Sequence, residues 1–561
     1  MSSVINSATS GLMAYQRAID VASQNIANAN TEGYVRLQAA LSPQTYGPDN
    51  YGLSAGVRVD GIRRNVSEFL IQQSRTANSA ANRAEIIASY SSQVGDMLGS
   101  GAQGLDDSFQ ALKNGFEALA ADPSSLLARD ALLASMQDTV TRVKFFDDRL
   151  TTLTTGINTR LGEEVTTINT ALREVAALND KIARTPSGPD GSPPPALLDQ
   201  RDRLLDQLSG RLGLKVTATT LGMVSVKTSD DRLLVNDGDY ATLSVTNGRY
   251  DSRLSTISMV PAGGGTSADL TSALGGGNLS GLIEARNSTV EASRIEMGRL
   301  VVALTRAINS QNAAGRTLDG TAADVNAAPP LNGALLKAGG VTTLNADNNS
   351  AGFSALTLSA VLDATANSPP ADEYIVTWGG ASWTVTKAGS GAAVTSTGTA
   401  SSIQFDNLTV TITGTGQATG DSFMVRPAIA AVADFGRTTS NARMIAAASA
   451  SGTFGVGDNR NAVELVKSFE KLVFDSNTVS LLTGASRLAS RLASQVYSSE
   501  LSSEIQRAAA DEALKQRSDM YGVSLDEEAA DLLRFQKGYQ AVASVMRTAN
   551  ELFDTLLGAT S

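Results

Sequence analysis

Neither cysteine nor histidine occurs among the 561 residues. Those two absences together remove disulfides, thiolate and imidazole metal ligands, Ser-His-Asp triads and Cys-His dyads. Aromatic residues are scarce, at 5%, and charged ones make up only 18%, so cores must be filled largely by Ala, Ser, Thr, Gly and aliphatic side chains. No stretch approaches the ~20 apolar residues that span a bilayer, so no membrane insertion is expected. The first six residues have neither the basic n-region nor the apolar h-region of a Sec leader. Lysine and arginine number 45 against 56 aspartates and glutamates, a net charge of −11. With no basic cluster anywhere, that balance opposes a nucleic-acid partner. Lack of cysteine fits the cytosol and equally an export route that bypasses Sec. What is present is 42% hydrophobic residue, enough for real cores in a chain with room for three or four domains.

Hydrophobic periodicity is strongest at the two ends. Ile5, Ala8, Leu12, Tyr15, Ile19, Ala22, Ile26 and Ala29 recur at spacings of three and four, a heptad seam on one helix face. Ser3 or Asn6 can cap its start, and Gly33 is placed to end it. Leu532, Phe535, Tyr539, Val542, Met546, Ala549, Phe553 and Leu556 repeat the pattern at the other end. Ser524 ahead of Asp526, Glu527 and Glu528 reads as an N-cap followed by an acidic first turn. Alanines in the first seam bury little area, so both ends are expected to be marginal helices, with the C-terminal face open in a lone chain.

Helical patterning continues from Asn65 to Arg184, with one seam at Ile87, Tyr90, Val94 and Met97. A longer one runs through Leu150, Leu153, Ile157, Leu161, Val165, Ile168, Leu172 and Val175. Asp122-Pro123 interrupts them, and the proline-rich stretch from Pro186 to Pro195 is a loop. The period then changes to two over Val216–Val226 and Leu233–Val245, with Asn236-Asp237-Gly238 as a turn. A helix returns from Leu282 to Asn312. From Thr321 to Val425 the only basic residues are Lys337 and Lys387, both tryptophans appear, and alternation is strong at Tyr374–Trp378 and Leu408–Thr413. Helix is expected to resume near Ala430 and to run to the C-terminus, with breaks near Gly452–Gly457 and Gly522.

No constellation of catalytic groups emerges. Gly414–Gly420 lacks dinucleotide-fingerprint spacing, no P-loop is present, and the acidic residues Asp230, Asp231, Asp237 and Asp239 lack EF-hand spacing. Consecutive carboxylates at 526–528 diverge around a helix and suit a cap rather than acid/base work. No enzyme activity, cofactor or metal is expected.

The segment Ser23-Gln-Asn-Ile-Ala-Asn-Ala-Asn-Thr-Glu-Gly-Tyr-Val-Arg36 resembles the N-terminal signature of the bacterial flagellar axial proteins, the family of rod, hook and hook-associated proteins. Asn25, Asn28, Thr31, Gly33 and Tyr34 carry that likeness, with Glu32 where many relatives have proline. Leu197–Leu205, Gly276–Arg286, Gly457–Ala462 and Gly522–Glu528 are similar to the branch of that family found at the hook–filament junction. Phe405–Leu408 and Gly420–Phe423 are similar to its middle domain.

The resemblance implies a mainly α, multi-domain chain. Residues 1–65 with 515–561 would form a terminal coiled coil, the inner tube of an assembly. Residues 66–213 with 279–315 and 430–514 would form a helical rod domain, and 214–278 with 316–429 outer β-rich regions. The assembly seam would be Ile5, Leu12, Tyr15, Ile19, Ile26, Leu532, Phe535, Tyr539, Val542, Met546, Phe553 and Leu556. The implied role is a non-catalytic adapter at the distal end of the hook. Its implied partners are further copies of itself, the hook protein, the second hook–filament junction protein and an export chaperone on the C-terminal helix. Its implied location is the extracellular flagellum, reached from the cytoplasm through the flagellar type III system. A hook or rod protein, and a secreted adhesin-like surface protein, are the alternatives.

Overall fold

The computed structural model describes residues 2–31, 33–45, 54–98, 104–186, 193–323, 333–475 and 477–560. The helical body follows from the seams. Helix α1 (Ser2–Ala27) leads through a turn into a hairpin of β1 (Leu37–Thr45) and β2 (Ser54–Arg64). Then come α2 (Glu68–Leu98), α3 (Leu105–Ala121) and α4 (Leu126–Arg184). At 59 residues, α4 is about 88 Å long at 1.5 Å per residue. Ser125 caps it by accepting a hydrogen bond from the Ala128 N–H at 3.2 Å, just after the Asp122-Pro123 break. Leu150, Ile157, Leu161, Ile168, Leu172 and Val175 are all fully buried along it. Helix α5 (Pro195–Arg211) returns against α4 and α2.

Strands β3 (Leu214–Ala218), β4 (Val224–Thr228), β5 (Leu233–Asn236) and β6 (Asp239–Tyr240) form one antiparallel sheet, and β7 (Thr242–Asn247), β8 (Ser255–Val260) and β9 (Ala268–Asp269) another. Rather than standing outward, these strands lie along α4. Three asparagines on that helix satisfy their backbones. Asn158 donates to the Arg253 carbonyl, Asn169 brackets both backbone groups of Leu243, and Asn179 both groups of Val224, all but one bond at 2.7–2.8 Å. The remaining bond, from the Val224 N–H, is 3.2 Å. A polar helix face thus meets sheet edges without leaving buried peptide groups unpaired.

The helix expected from Leu282 begins earlier, as α6 (Gly277–Glu284), passes through a π-helical turn (Ala285–Glu291) and continues as α7 (Ala292–Ala313). It is buried on most sides and serves both neighbours. Leu300, Leu304 and Ile308 face the core, while Arg306 donates to the carbonyls of Leu362, Asp363 and Ala366 in the β insert.

That insert is a sandwich of two antiparallel sheets. One orders Thr342–Asn345, Ser422–Arg426, Tyr374–Trp378, Trp383–Lys387 and Ala393–Val394; the other orders Thr357–Leu362, Leu408–Thr413, Ser402–Phe405 and Thr397–Thr399. Trp378 and Trp383 face each other across strands with ring centroids 4.9 Å apart, and Trp383 meets Phe423 edge-on at 5.5 Å. Asp406 and Asn407, both at positive φ, make the two-residue turn between Phe405 and Leu408. After the insert, α8 (Arg460–Lys467), α9 (Leu481–Tyr521) and α10 (Leu525–Thr560) complete the chain, with α9 lying along α2.

Two buried arginines fasten the insert and its flanks to the body. Arg426, 1% exposed, pairs with Asp251, Glu291 and Glu373. Arg129, equally buried, donates instead to three carbonyls: Pro123 at 2.9 Å, Ala442 at 3.2 Å and Ile445 at 2.6 Å. Burial lowers its pKa to about 10, which still leaves it charged at neutrality. Replacing Arg426 by Met strands the Glu373 carboxylate and leaves Asp251 and Glu291 with only Arg253 and Arg294 respectively, and is expected to cost about 3–5 kcal/mol in denaturant unfolding. Arg426→Lys, which keeps the charge but not the planar fork, should recover only part of that.

Candidate functional site

Helices α1 and α10 run antiparallel in a constant register. Asn25 meets Glu528, Tyr15 lies over Gly538, and Gly11 faces Val542. A Cβ on Gly538 would sit 2.6 and 2.7 Å from Cε1 and Cζ of the Tyr15 ring, so only glycine admits the ring at this separation. The fully buried residues of α1 are mostly small ones, Ala8, Gly11, Ala14, Ala18, Val21 and Ala22, turned between α10 and the hairpin. Ile5, Leu12, Tyr15, Ile19 and Ile26 are half-buried, as are Leu532, Phe535, Val542 and Met546; Tyr539 is exposed. The side chains of Phe553 and Leu556 lie outside those described. The expectation of an open C-terminal face is therefore corrected, because α1 of the same chain covers part of it.

The signature forms the joint that fixes this register. Asn25, 1% exposed, uses its whole amide. Its Nδ2 donates to the Leu37 carbonyl at 2.9 Å and to Glu528 Oε2 at 3.0 Å, while its Oδ1 accepts from the Leu37 N–H at 3.0 Å and the Tyr34 hydroxyl at 2.9 Å. Arg36 closes the other side, its Nε on Glu528 Oε1 at 2.6 Å and its Nη1 on Glu527 at 2.8 Å, with Asp531 at 3.4 Å. The Arg36 N–H also donates to the Tyr521 carbonyl, at 3.1 Å. Ser524 caps α10 as expected, its hydroxyl accepting from the Glu527 N–H at 3.5 Å. Glu528, read from sequence as part of an acidic cap, is instead the buried centre of the joint.

The helix-ending role assigned to Gly33 is also corrected. Helix α1 stops at Ala27, where the Gln24 carbonyl accepts both the Asn28 N–H at 3.1 Å and the Asn28 side-chain amide at 2.9 Å. Thr31 then bonds Asn28 at 3.3 Å. Gly33 lies later in the turn at φ +74°, with Arg203 of α5 pressed against it: an added Cβ would be 2.9 Å from its Cγ. Burial, with Asp199 and Glu528 nearby, raises the Tyr34 hydroxyl from 10.0 to about 12.

Behind the joint runs a second polar layer linking β2, α2, α5 and α9. Arg64 reaches Asp199 at 2.9 Å and Asp202 at 2.5 Å; Arg75 reaches Asp202 at 3.2 Å and Asp206 at 2.7 Å; Arg517 reaches Asp206 at 2.9 Å. Burial pushes the Asp202 carboxyl up, but Arg64 and Arg75 overcome it and hold the group below the usual carboxylate range. The Leu197–Leu205 segment thus contributes ion-pair partners. Sequence reasoning missed Arg36, Arg64, Arg75, Arg517 and Gly538; the one available signal was that Arg36 ends the signature and Glu528 ends another family-like segment.

Chemically, the arrangement is a latch. Among the described residues no group of three or more metal-ligating side chains exists, and no helix is long and apolar enough to cross a membrane. Asn25→Ala leaves four hydrogen-bonding groups without this partner, and should destabilise the α1–α10 pair by about 3 kcal/mol, read as faster amide exchange at Leu37 and in α10. Gly538→Val should separate the helices through Tyr15 with a similar readout. Because the Tyr34 pKa is raised on folding, its contribution is intact below pH 10 and drains as pH rises from 10.0 to about 12. Tyr34→Phe should flatten that part of the stability–pH curve.

Comparison with known proteins gives four family matches in chain order. Residues 5–34 match "Flagella basal body rod protein", 91–325 "Flagellar hook-associated protein FlgK helical domain", 343–427 "Flagellar hook-associated protein 1, D2-like domain", and 516–559 "Flagellar basal body rod FlgEFG protein C-terminal". The helical-domain match takes in the strands that lie along α4. Flagellar hook-associated protein 1 of Salmonella typhimurium is 29% identical over 99% of this chain and 100% of its own length, and that of Escherichia coli K12 is 29% identical over 99% and 100%. The fold is shared with the flagellar hook junction protein FlgK of Burkholderia pseudomallei, with a TM-score of 0.71 and 21% identity over 81% of this chain and all of that one. Both ends, the helical body and the β insert are thus each matched in chain order, and over its full length the chain is similar to flagellar hook-associated protein 1.

Proposed function

We propose that this chain is a structural adapter of the bacterial flagellum, added at the distal end of the hook as the hook–filament junction, with no catalytic step. The family is structural rather than enzymatic, and the joint described above is a device for rigidity. The observation that carries the reading is what the paired ends leave uncovered. With α1 and α10 already packed on each other, Met13 is still 65% exposed, Leu533 58%, Val545 52% and Leu552 55%. Large apolar groups spread along a helical pair, outside its own interface, are surface for neighbouring subunits. On this reading the neighbours are further copies of the chain, the hook protein below and the second junction protein above. An export chaperone shields the C-terminal helix before passage through the type III system, and the outer β insert stays dispensable for ring formation. Residues 1–65 with 515–561 then serve as the inner tube, and the helical body as the next shell.

Gold-labelled antibody on intact flagella should mark a single band between hook and filament; label along the hook or over the cell body overturns the proposal. A pair of substitutions tests the surface. Val545→Glu puts a charge on an exposed position, so the monomer's melting temperature should move by less than about 1 °C, while junction assembly fails because the charge is desolvated against a neighbour. Lys537→Glu, also exposed, should assemble. Normal filaments in the Val545 variant would remove that surface from the interface.

A further inference from the structure

Helix α9 turns one side to α2, and the side turned away carries a ridge of large apolar groups. Tyr497 is 70% exposed, Leu501 44% and Ile505 56%. Spaced four apart, they share one face, opposite Leu492 and Ser499, which are buried. Between residues 83 and 96 the neighbouring α2 exposes only polar side chains, Arg83, Glu85, Ser89, Gln93 and Asp96. The ridge is thus an exception on this body rather than its ordinary surface. Its charge is one-sided. Glu500 and Glu504 flank it, and no basic residue occurs between Arg491 and Arg507. Like charges four apart repel along a helix, and among the described residues neither glutamate is in an ion pair. A patch of opposite sign lies on α4. Phe145, 47% exposed, stands on the outer side of that helix, with Arg149 over its ring at 5.5 Å and Lys144 next to it in the chain. Among the described residues neither cation is in an ion pair. Helix α9 lies against α2, α3 and α7 rather than α4, so the two patches do not meet within one chain.

We propose that the α9 ridge of one copy docks on the Phe145 face of α4 in a neighbouring copy. The inference rests on the assembly role and deepens it by naming the side-by-side contact of the helical bodies. Tyr497, Leu501 and Ile505 lose water against Phe145, while Glu500 and Glu504 gain in Lys144 and Arg149 the opposite charges that their own chain does not supply. Because the two patches differ, the contact is heterologous. Each copy uses both patches, so repetition by rotation closes a ring rather than ending at a pair.

The chain has no cysteine, so Leu501→Cys and Phe145→Cys can be combined in the full chain without background. Intact flagella carrying the double variant, treated with a short bis-maleimide, should yield a ladder of cross-linked multimers of this chain, and either single variant should yield none. Multimers absent from flagella that keep the gold-labelled junction band overturn the contact and leave the adapter reading standing. Loss of the band in the unaltered chain overturns that reading and the contact with it. Charge reversal keeps the test decisive if the cysteine pair assembles poorly. Glu504→Lys, at an exposed position, should leave the monomer's melting unchanged but cut filaments per cell roughly tenfold, because the new lysine meets Lys144 and Arg149. Adding Arg149→Glu should restore most of them. Failure of that rescue overturns the proposal. So does a Glu504 variant whose defect is a smaller amount of exported chain, which would assign the ridge to a chaperone.

Discussion

One side-chain amide sets the geometry of the terminal region. Asn25 is the point at which α1, the start of β1 and the first turn of α10 meet, and each of its hydrogen-bonding directions is used. An amide so placed tolerates no sliding: a one-residue shift of α10 would remove Glu528 and leave buried donors unmatched. The helix interface supplies area but little register of its own, because its buried residues are mostly small. Register is carried by the polar joint and by the Tyr15–Gly538 contact, and the apolar remainder is left facing outward.

The same division of labour recurs inward. Where one module meets the next, the contacts are buried arginine clusters: Arg64 and Arg75 between hairpin and helical body, Arg426 between body and insert, Arg129 where the chain returns from the insert. Such clusters add less net stability than their Coulomb energy suggests, since burial costs each charge its hydration. They do penalise any relative movement that unpairs them. At ordinary ionic strength the screening length is about 8–10 Å, which weakens exposed pairs and leaves these largely untouched.

Much of the helical plan was legible because long helices with a continuous buried face write their period into the sequence; the seam from Leu150 to Val175 maps onto α4 without adjustment. The insert was legible from alternation, as Leu408, Val410 and Ile412 turn inward between exposed or half-buried threonines. The hairpin at 37–64 was not anticipated, since β1 carries small and polar residues and a proline that blur a period of two. Nor was the lie of β3–β9 along α4, which depends on Asn158, Asn169 and Asn179, polar residues that look like solvated helix surface. Ion-pair partners are the least legible class. Glu528 has the composition of a cap, and only the approach of a residue 503 positions away makes it a joint.

That separation has a consequence for how the molecule comes into being. Helix α1, short of large buried side chains, has little reason to persist as a helix until α10 is available to cover it. Every latch contact that joins α1 or Arg36 to α10 closes a loop spanning nearly the whole chain, so its entropic cost is met only after the body between the two ends has folded and brought them near. The terminal helices are thus the last part of the molecule to acquire structure. A chain handled before that moment presents two pliable ends flanking a finished centre.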